Sequence, residues 1–200
     1  MIKVAGAGPG NPNILTVEVQ ELIRNSQRVI AFGRIKESLK YLRGDILEVN
    51  RMNELLELIG KSDEDTLVLA SGDPNFFGVV ELIKEKGIKI SEIYPGISSL
   101  QYFMSKIQKS YSYVNTYSVH GREFDFSKID WCNGEHVFLI DKVHNGNYIS
   151  KSLFDLGIKG EIFYGYNLSY EDEYITKSKI GERIDEPSSL GVVLVVPYVD

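Results

Sequence analysis

Three short segments combine glycine with hydroxyl or carboxylate residues at the ends of apolar runs, where backbone amides and small side chains can close on a polar ligand. Gly6-Ala7-Gly8-Pro9-Gly10 follows IKVA, Ser71-Gly72-Asp73-Pro74-Asn75-Phe76-Phe77-Gly78 follows TLVLA, and Tyr94-Pro95-Gly96-Ile97-Ser98-Ser99 closes KISEI. Each also has a simpler reading. The first has the glycine density of a dinucleotide loop, but the third glycine of that fingerprint is due where Asn11 stands, and Pro9 removes a backbone donor; a tight turn without a ligand explains it as well. In the second, Asp73 and Pro74 suit the N-cap and first turn of a helix, which accounts for the pair but leaves the flanking glycines unexplained. Ser98 and Ser99 admit the same capping reading. Gly60-Lys61-Ser62 ends like a phosphate loop, yet Leu55 occupies the place of its first glycine.

These segments need elements that bring them to one edge. Short β-branched runs alternate with amphipathic stretches through the first half, which predicts an α/β domain with a parallel sheet. Strands are expected at residues 2–5, 28–32, 66–70 and 89–94, with a weaker one at 46–49, and helices at 16–25 and 77–86, the latter ended by Gly87. Three loops at carboxyl ends of such strands would share the edge where open α/β sheets bind ligands. Residues 108–115, QKSYSYVN, are polar, aromatic and aperiodic, so a junction is expected there, with domains at 1–110 and 111–200. The second domain should hold strands at 136–140, 161–166 and 191–196, a helix at 148–156 and a loop around 169–173.

Composition bounds the function. The 200 residues are 43% hydrophobic and 25% charged, enough apolar content for a folded chain without staples. A formal charge of -6 argues against general binding to nucleic-acid backbones. The longest apolar run, 191–196, is too short to span a membrane and stops at Pro197, so a cytoplasmic protein is expected. A single cysteine, Cys132, makes neither an internal disulfide nor a thiolate zinc site, and His120, His136 and His144 lack metal-ligand spacing, so no protein-bound metal is expected.

GAGPGNPNILT, SGDPNFFG and PGISS, in this order and spacing, resemble the signature loops of the tetrapyrrole methylases, and the resemblance extends over nearly the whole chain. It implies two α/β domains with the cofactor, S-adenosylmethionine, folded in the cleft between them. Cofactor contacts are implied at Pro9, Gly72, Asp73, Phe76, Ser98 and Ser99, with Leu168 from the second domain. Ser118-Val119-His120-Gly121-Arg122 and the run from Tyr164 to Glu173 are similar to the branch that methylates C5 of a late corrin precursor in cobalamin biosynthesis. That branch usually carries Glu at the position of Tyr166 and Ala-Arg at that of Ser105-Lys106. The partners implied are a corrinoid or other tetrapyrrole acceptor and a second copy of the chain. His120 and Arg122 are the candidate acceptor contacts, because a forked guanidinium suits the carboxylates of such a macrocycle; an ordinary structural role stands open for both. No catalytic residue is assigned, and His120 is a candidate for proton transfer only. Two alternatives stay open: a family member with another acceptor, and a non-catalytic nucleotide- or tetrapyrrole-binding module.

Overall fold

In the computed structural model, which describes residues 1–33, 35–60, 64–121 and 123–198, the apolar runs of the first half form five strands. These are β1 (Ile2–Gly6), β2 (Arg28–Phe32), β3 (Leu47–Val49), β4 (Thr66–Ala70) and β5 (Ile90–Tyr94), all parallel, in the order β3-β2-β4-β1-β5. TLVLA is buried at every position of β4, as a strand must be when helices cover both faces of its sheet. Period-two alternation divides the core. Leu67 and Leu69 join Ala5, Val29 and Ala31 under Val19 and Ile23 of α1 (Val17–Asn25). Val68, with Ile2, Val4 and Ile30, faces the other way, towards α3 (Met52–Gly60) and α4 (Val79–Glu85). The short α2 (Lys36–Leu39) adds Leu39 to the first face. Each such fully buried aliphatic side chain contributes about 1.5 to 3 kcal/mol.

Local chemistry sets the helix ends. Thr16 Oγ1 accepts from Val19 N at 3.2 Å and starts α1. Beyond α4 the chain turns at Gly87, φ +72°, with Ile88 N donating to Ile83 O at 3.4 Å. β1 and β4 are neighbours whose following helices lie on opposite faces, the arrangement that opens a crevice at the carboxyl ends of a doubly wound sheet.

The second sheet is mixed: β6 (Val114–Ser118), β7 (Glu135–Ile140), β8 (Gly160–Tyr166), β9 (Tyr174–Lys179) and β10 (Gly191–Pro197), in the order β6-β7-β10-β8-β9. Only the β6–β7 pair is parallel. Ile149 and Leu153 of α6 (Gly146–Asp155) pack on Phe138, Ile162, Tyr164, Tyr166, Val193 and Val195. Gly165, between Tyr164 and Tyr166, faces the opposite side, where α5 (Ser99–Lys106) brings Phe103 so close that a Cβ on Gly165 would lie 2.6 Å from its ring.

That contact explains where the chain divides. The two compact units are Met1–Ser99 and Leu100–Asp200, so α5 belongs with the second sheet, whereas the sequence reading ended the first domain at residue 110. Two further differences concern strands: β6 begins inside the stretch read as a junction, and β9 was not anticipated. Among the described residues no helix is long and apolar enough to cross a membrane.

Candidate functional site

The three glycine-bearing loops leave β4, β1 and β5, adjacent strands of one sheet, and are fastened to one another by backbone. Gly8 and Gly72 form an isolated antiparallel bridge, Gly72 N donating to Gly8 O at 2.7 Å and Gly8 N to Gly72 O at 3.3 Å. Ala7 N donates to Ala70 O at 2.8 Å. Gly6 and Gly96 then meet below this bridge: a Cβ on Gly6 would stand 2.6 Å from Gly96 Cα, and one on Gly96 would stand 2.7 Å from Gly6 Cα. Neither position accepts a side chain unless the loops part.

Asp73 completes the assembly. Its Oδ1 accepts from Asn75 N at 2.8 Å and its Oδ2 from Gly96 N at 3.2 Å, while Phe76 N donates to Asp73 O at 3.1 Å. The capping reading of Asp73-Pro74 is therefore corrected. α4 starts only at Val79, its N-cap is Gly78 without a side-chain bond, and the intervening turn carries Phe77 at φ +50°. Asp73 forms an Asx turn and ties the second loop to the third. The sequence reading of Ser98 and Ser99 as the opening of a helix matches α5, which begins at Ser99.

Of the expected cofactor contacts, Pro9, Gly72, Asp73, Phe76, Ser98 and Ser99 all lie on these joined loops, Pro9 and Ser98 buried and the others half-buried. The result is a rim of bare backbone with one carboxylate, two serines and an aromatic ring. Such a rim can hold a polar ligand closely but offers no acid-base pair. Among the described residues no group of three His, Cys, Asp or Glu side chains could hold a metal ion.

A family model described as Tetrapyrrole (Corrin/Porphyrin) Methylases matches residues 1–183. The chain belongs to the tetrapyrrole methylase family. It is 28% identical over 191 residues to a probable cobalt-precorrin-7 C(5)-methyltransferase of Methanocaldococcus jannaschii, covering 91% of this chain and 90% of that one. It is 29% identical over 181 residues to the cobalt-precorrin-7 C(5)-methyltransferase of Salmonella typhimurium, covering 88% and 89%. Among solved structures, the precorrin-6Y methylase of cobalamin biosynthesis from Archaeoglobus fulgidus superposes with TM-score 0.77 at 22% identity, over 100% of this chain and 98% of that one. A uroporphyrin-III C-methyltransferase of Thermus thermophilus, complexed with S-adenyl homocysteine, superposes with TM-score 0.73 at 19% identity, covering 97% and 96%. These structures share the two-sheet fold of this tetrapyrrole methylase.

In the second unit, the methylase fold gathers further polar residues at the carboxyl ends of β6, β7 and β8. His120 is exposed just beyond β6, and Arg122 lies outside the described residues. Leu168 is 5% exposed, its side chain lying with Phe103 over Gly165. The loop that carries Leu168 is self-contained: Asn167 Nδ2 donates to Asp172 Oδ2 at 2.7 Å, and Ser169 N to Glu173 Oε2 at 2.7 Å. Lys106 Nζ pairs with Glu173 Oε1 at 3.2 Å. Asn167 and Ser169 hold left-handed backbone, φ +46° and +69°, conformations that this network sustains. Asp172 and Glu173 are thus occupied structurally.

Sequence reasoning missed Gly6 and Gly96, where the backbone of the neighbouring loops leaves no room for a Cβ. A glycine in each of three loops after neighbouring strands was the available signal. It also missed Asp141, whose Oδ2 accepts from Gly121 N at 2.6 Å; only its place directly after an apolar strand marked it.

Proposed function

We propose that this tetrapyrrole methylase transfers the methyl group of S-adenosylmethionine to C5 of a late corrin precursor, cobalt-precorrin-7, in cobalamin biosynthesis. The observation that carries the acceptor assignment is the match, over about nine-tenths of both chains, to relatives bearing that name.

The joined loops fit an adenosyl amino acid on their own geometry. Gly6 and Gly96 leave no room for side chains at the convergence, and Gly72 holds φ +66°, so backbone rather than side-chain bulk lines the approach. Pro9, Gly72, Asp73, Phe76, Ser98 and Ser99 are the proposed cofactor contacts, joined by Leu168 of the second unit. When bound, S-adenosylmethionine supplies a methyl group on an electrophilic sulfonium. The chain's own residues hold that methyl in line with the acceptor carbon and keep water away. Orientation of this kind is worth about 7 to 11 kcal/mol, which suits a site without a strong base. His120 and Arg122 are the proposed acceptor contacts, supplying positive or hydrogen-bonding character to an otherwise acidic protein. The same reading makes the chain a cytoplasmic homodimer whose partners are the macrocycle and its own second copy, with no role for nucleic acid or membrane.

The deciding experiment incubates the purified protein with methyl-labelled S-adenosylmethionine and cobalt-precorrin-7, alongside a panel of other tetrapyrroles. Labelled methyl at C5 of the corrinoid is the expected product. Transfer only to another tetrapyrrole, or to none, would overturn the assignment.

A further inference from the structure

Asp141 stands one residue past β7 and is the meeting point of two histidine-bearing turns. Its Oδ2 accepts from Gly121 N at 2.6 Å, and its Oδ1 accepts from Val143 N and His144 N, each at 2.7 Å. The buried Nδ1 of His144 lies 3.6 Å from the same carboxylate, and both side chains are 14% exposed. Burial alone would push the Asp141 carboxyl upward, but the N–H groups of Gly121, His144 and Val143, with the His144 ring, outweigh it and hold the pKa at about 2. The carboxylate is therefore an anion across the whole range in which the protein would work.

Among the described residues, little else holds this loop. The β6–β7 ladder ends with Val119 N donating to Leu139 O at 3.0 Å, and the two residues that follow, His120 and Gly121, are exposed. Gly121 has φ +69° with open space where a Cβ would point, so its conformation is not imposed by packing. A charge-assisted bond to a half-buried carboxylate is what gives this tip one position.

We propose that Asp141 is a positioning residue for the acceptor: by binding Gly121 and the 142–144 turn through the same carboxylate, it sets His120, Lys142 and His144 as one edge that receives a carboxylate arm of the macrocycle. This rests on the methyltransferase reading above. It adds that acceptor recognition by His120 depends on a residue that touches neither substrate.

Asp141→Asn separates the two turns. The amide keeps one acceptor oxygen for Val143 and His144 but turns an N–H toward Gly121 N, so the His120 loop is released while the 142–144 turn stays. In the full-length protein, D141N is expected to raise the acceptor KM about tenfold and leave kcat and the KM for S-adenosylmethionine within about twofold. Amide exchange at Gly121 should accelerate while Val143 and His144 remain protected. His120→Ala should raise the acceptor KM similarly, and the double variant should be no worse than the weaker single variant, because both remove one interaction. An unchanged acceptor KM in folded D141N, additive effects in the double variant, or an equal rise in the KM for S-adenosylmethionine would each overturn the proposal. Should D141N unfold, loss of Trp131 fluorescence will show it, and an unchanged acceptor KM in His120→Ala then overturns the proposal by itself. A wild-type protein that methylates no corrinoid would refute the function proposed above, a result distinct from any of these.

Discussion

Asp73 Oδ2 accepts the amide hydrogen of Gly96 at 3.2 Å, joining the loops after β4 and β5, two strands that never touch because β1 lies between them. One side chain thus spans the middle of the sheet edge on which the proposed cofactor contacts lie. Asp73→Ala removes this tie and the Asx turn to Asn75 together, and is expected to weaken S-adenosylmethionine binding about tenfold, the equivalent of one or two lost hydrogen bonds. Titration calorimetry on the folded variant measures it. Wild-type affinity would mean that the loops keep their form without Asp73.

Gly96 and Gly72 separate two reasons for glycine. At Gly96 the obstacle is space, since a Cβ would clash with Gly72 O and fall 2.7 Å from Gly6 Cα; at Gly72 it is conformation, since φ is +66° while the nearest atom, Ser98 Cα, would be 3.6 Å away. Gly72→Ala should therefore cost about 1 to 2 kcal/mol in stability with the loops still joined. Gly96→Ala must push the third loop away from both the first and the second and should abolish measurable cofactor binding. Equal affinities in the two variants would show that the Gly6–Gly96 approach plays no part in the site.

How much of this was legible beforehand follows from what each residue must satisfy. β4 is buried at every position and β1 and β2 at most of theirs, so apart from Lys3 and Arg28 their sequences are mostly apolar, and the expected bounds agree within a residue. β6 and β9 are the two edges of the second sheet, paired on one side only, and VNTYS and YITKSK show no consistent apolar alternation because none of their residues is fully buried. Glycine-bearing loops could be read because neighbouring strands placed them in one row. The role of Asp73 could not, because an N-cap and an Asx turn draw on the same residue types; only the start of α4 at Val79 distinguishes them.

His136 makes stability depend on pH. Its ring is fully buried in β7, 4.7 Å from the Trp131 ring and stacked near Tyr117, whose hydroxyl lies 3.4 Å from Nδ1, while Nε2 has no hydrogen-bond partner among the described residues. Burial pushes its pKa below the ordinary 6.5, opposed by the charge of Asp130. Above pH 6.5 the imidazole is neutral in both the folded and unfolded chain, and stability is complete. As pH falls through 6.5 the unfolded chain takes up a proton that the folded one resists, so stability declines by at most about 1.4 kcal/mol per pH unit until the lower folded value is reached. Urea midpoints followed by Trp131 fluorescence between pH 5 and pH 7.5 should show that decline, and His136→Phe should flatten it. An equal slope in the variant would remove His136 as the cause.

Tyr166 stands where the resemblance to the C5-methylating branch implies a glutamate, and Glu186 brings a carboxylate to it from elsewhere in the chain. The fully buried Tyr166 hydroxyl donates to Glu186 Oε1 at 2.8 Å, and Asn147 N at the start of α6 donates to the same oxygen at 2.7 Å. Burial first, then the bond to Glu186, raises the Tyr166 pKa, so the hydroxyl stays a neutral donor. Placing glutamate here by Tyr166→Glu would set a second carboxylate beside Glu186 and would delete a ring from the core. A loss of about 3 to 5 kcal/mol is expected. Tyr166→Phe keeps the ring and leaves Glu186 its bond from Asn147, so its cost should be about 1 to 2 kcal/mol. Adding Glu186→Gln to Tyr166→Glu removes the like charge and should recover part of the loss, whereas Glu186→Gln in the wild-type background should be destabilising. That reversal of sign is specific to a direct Tyr166–Glu186 interaction. If Glu186→Gln has the same effect in both backgrounds, Glu186 is not held against Tyr166, and the segment before β10 takes another course.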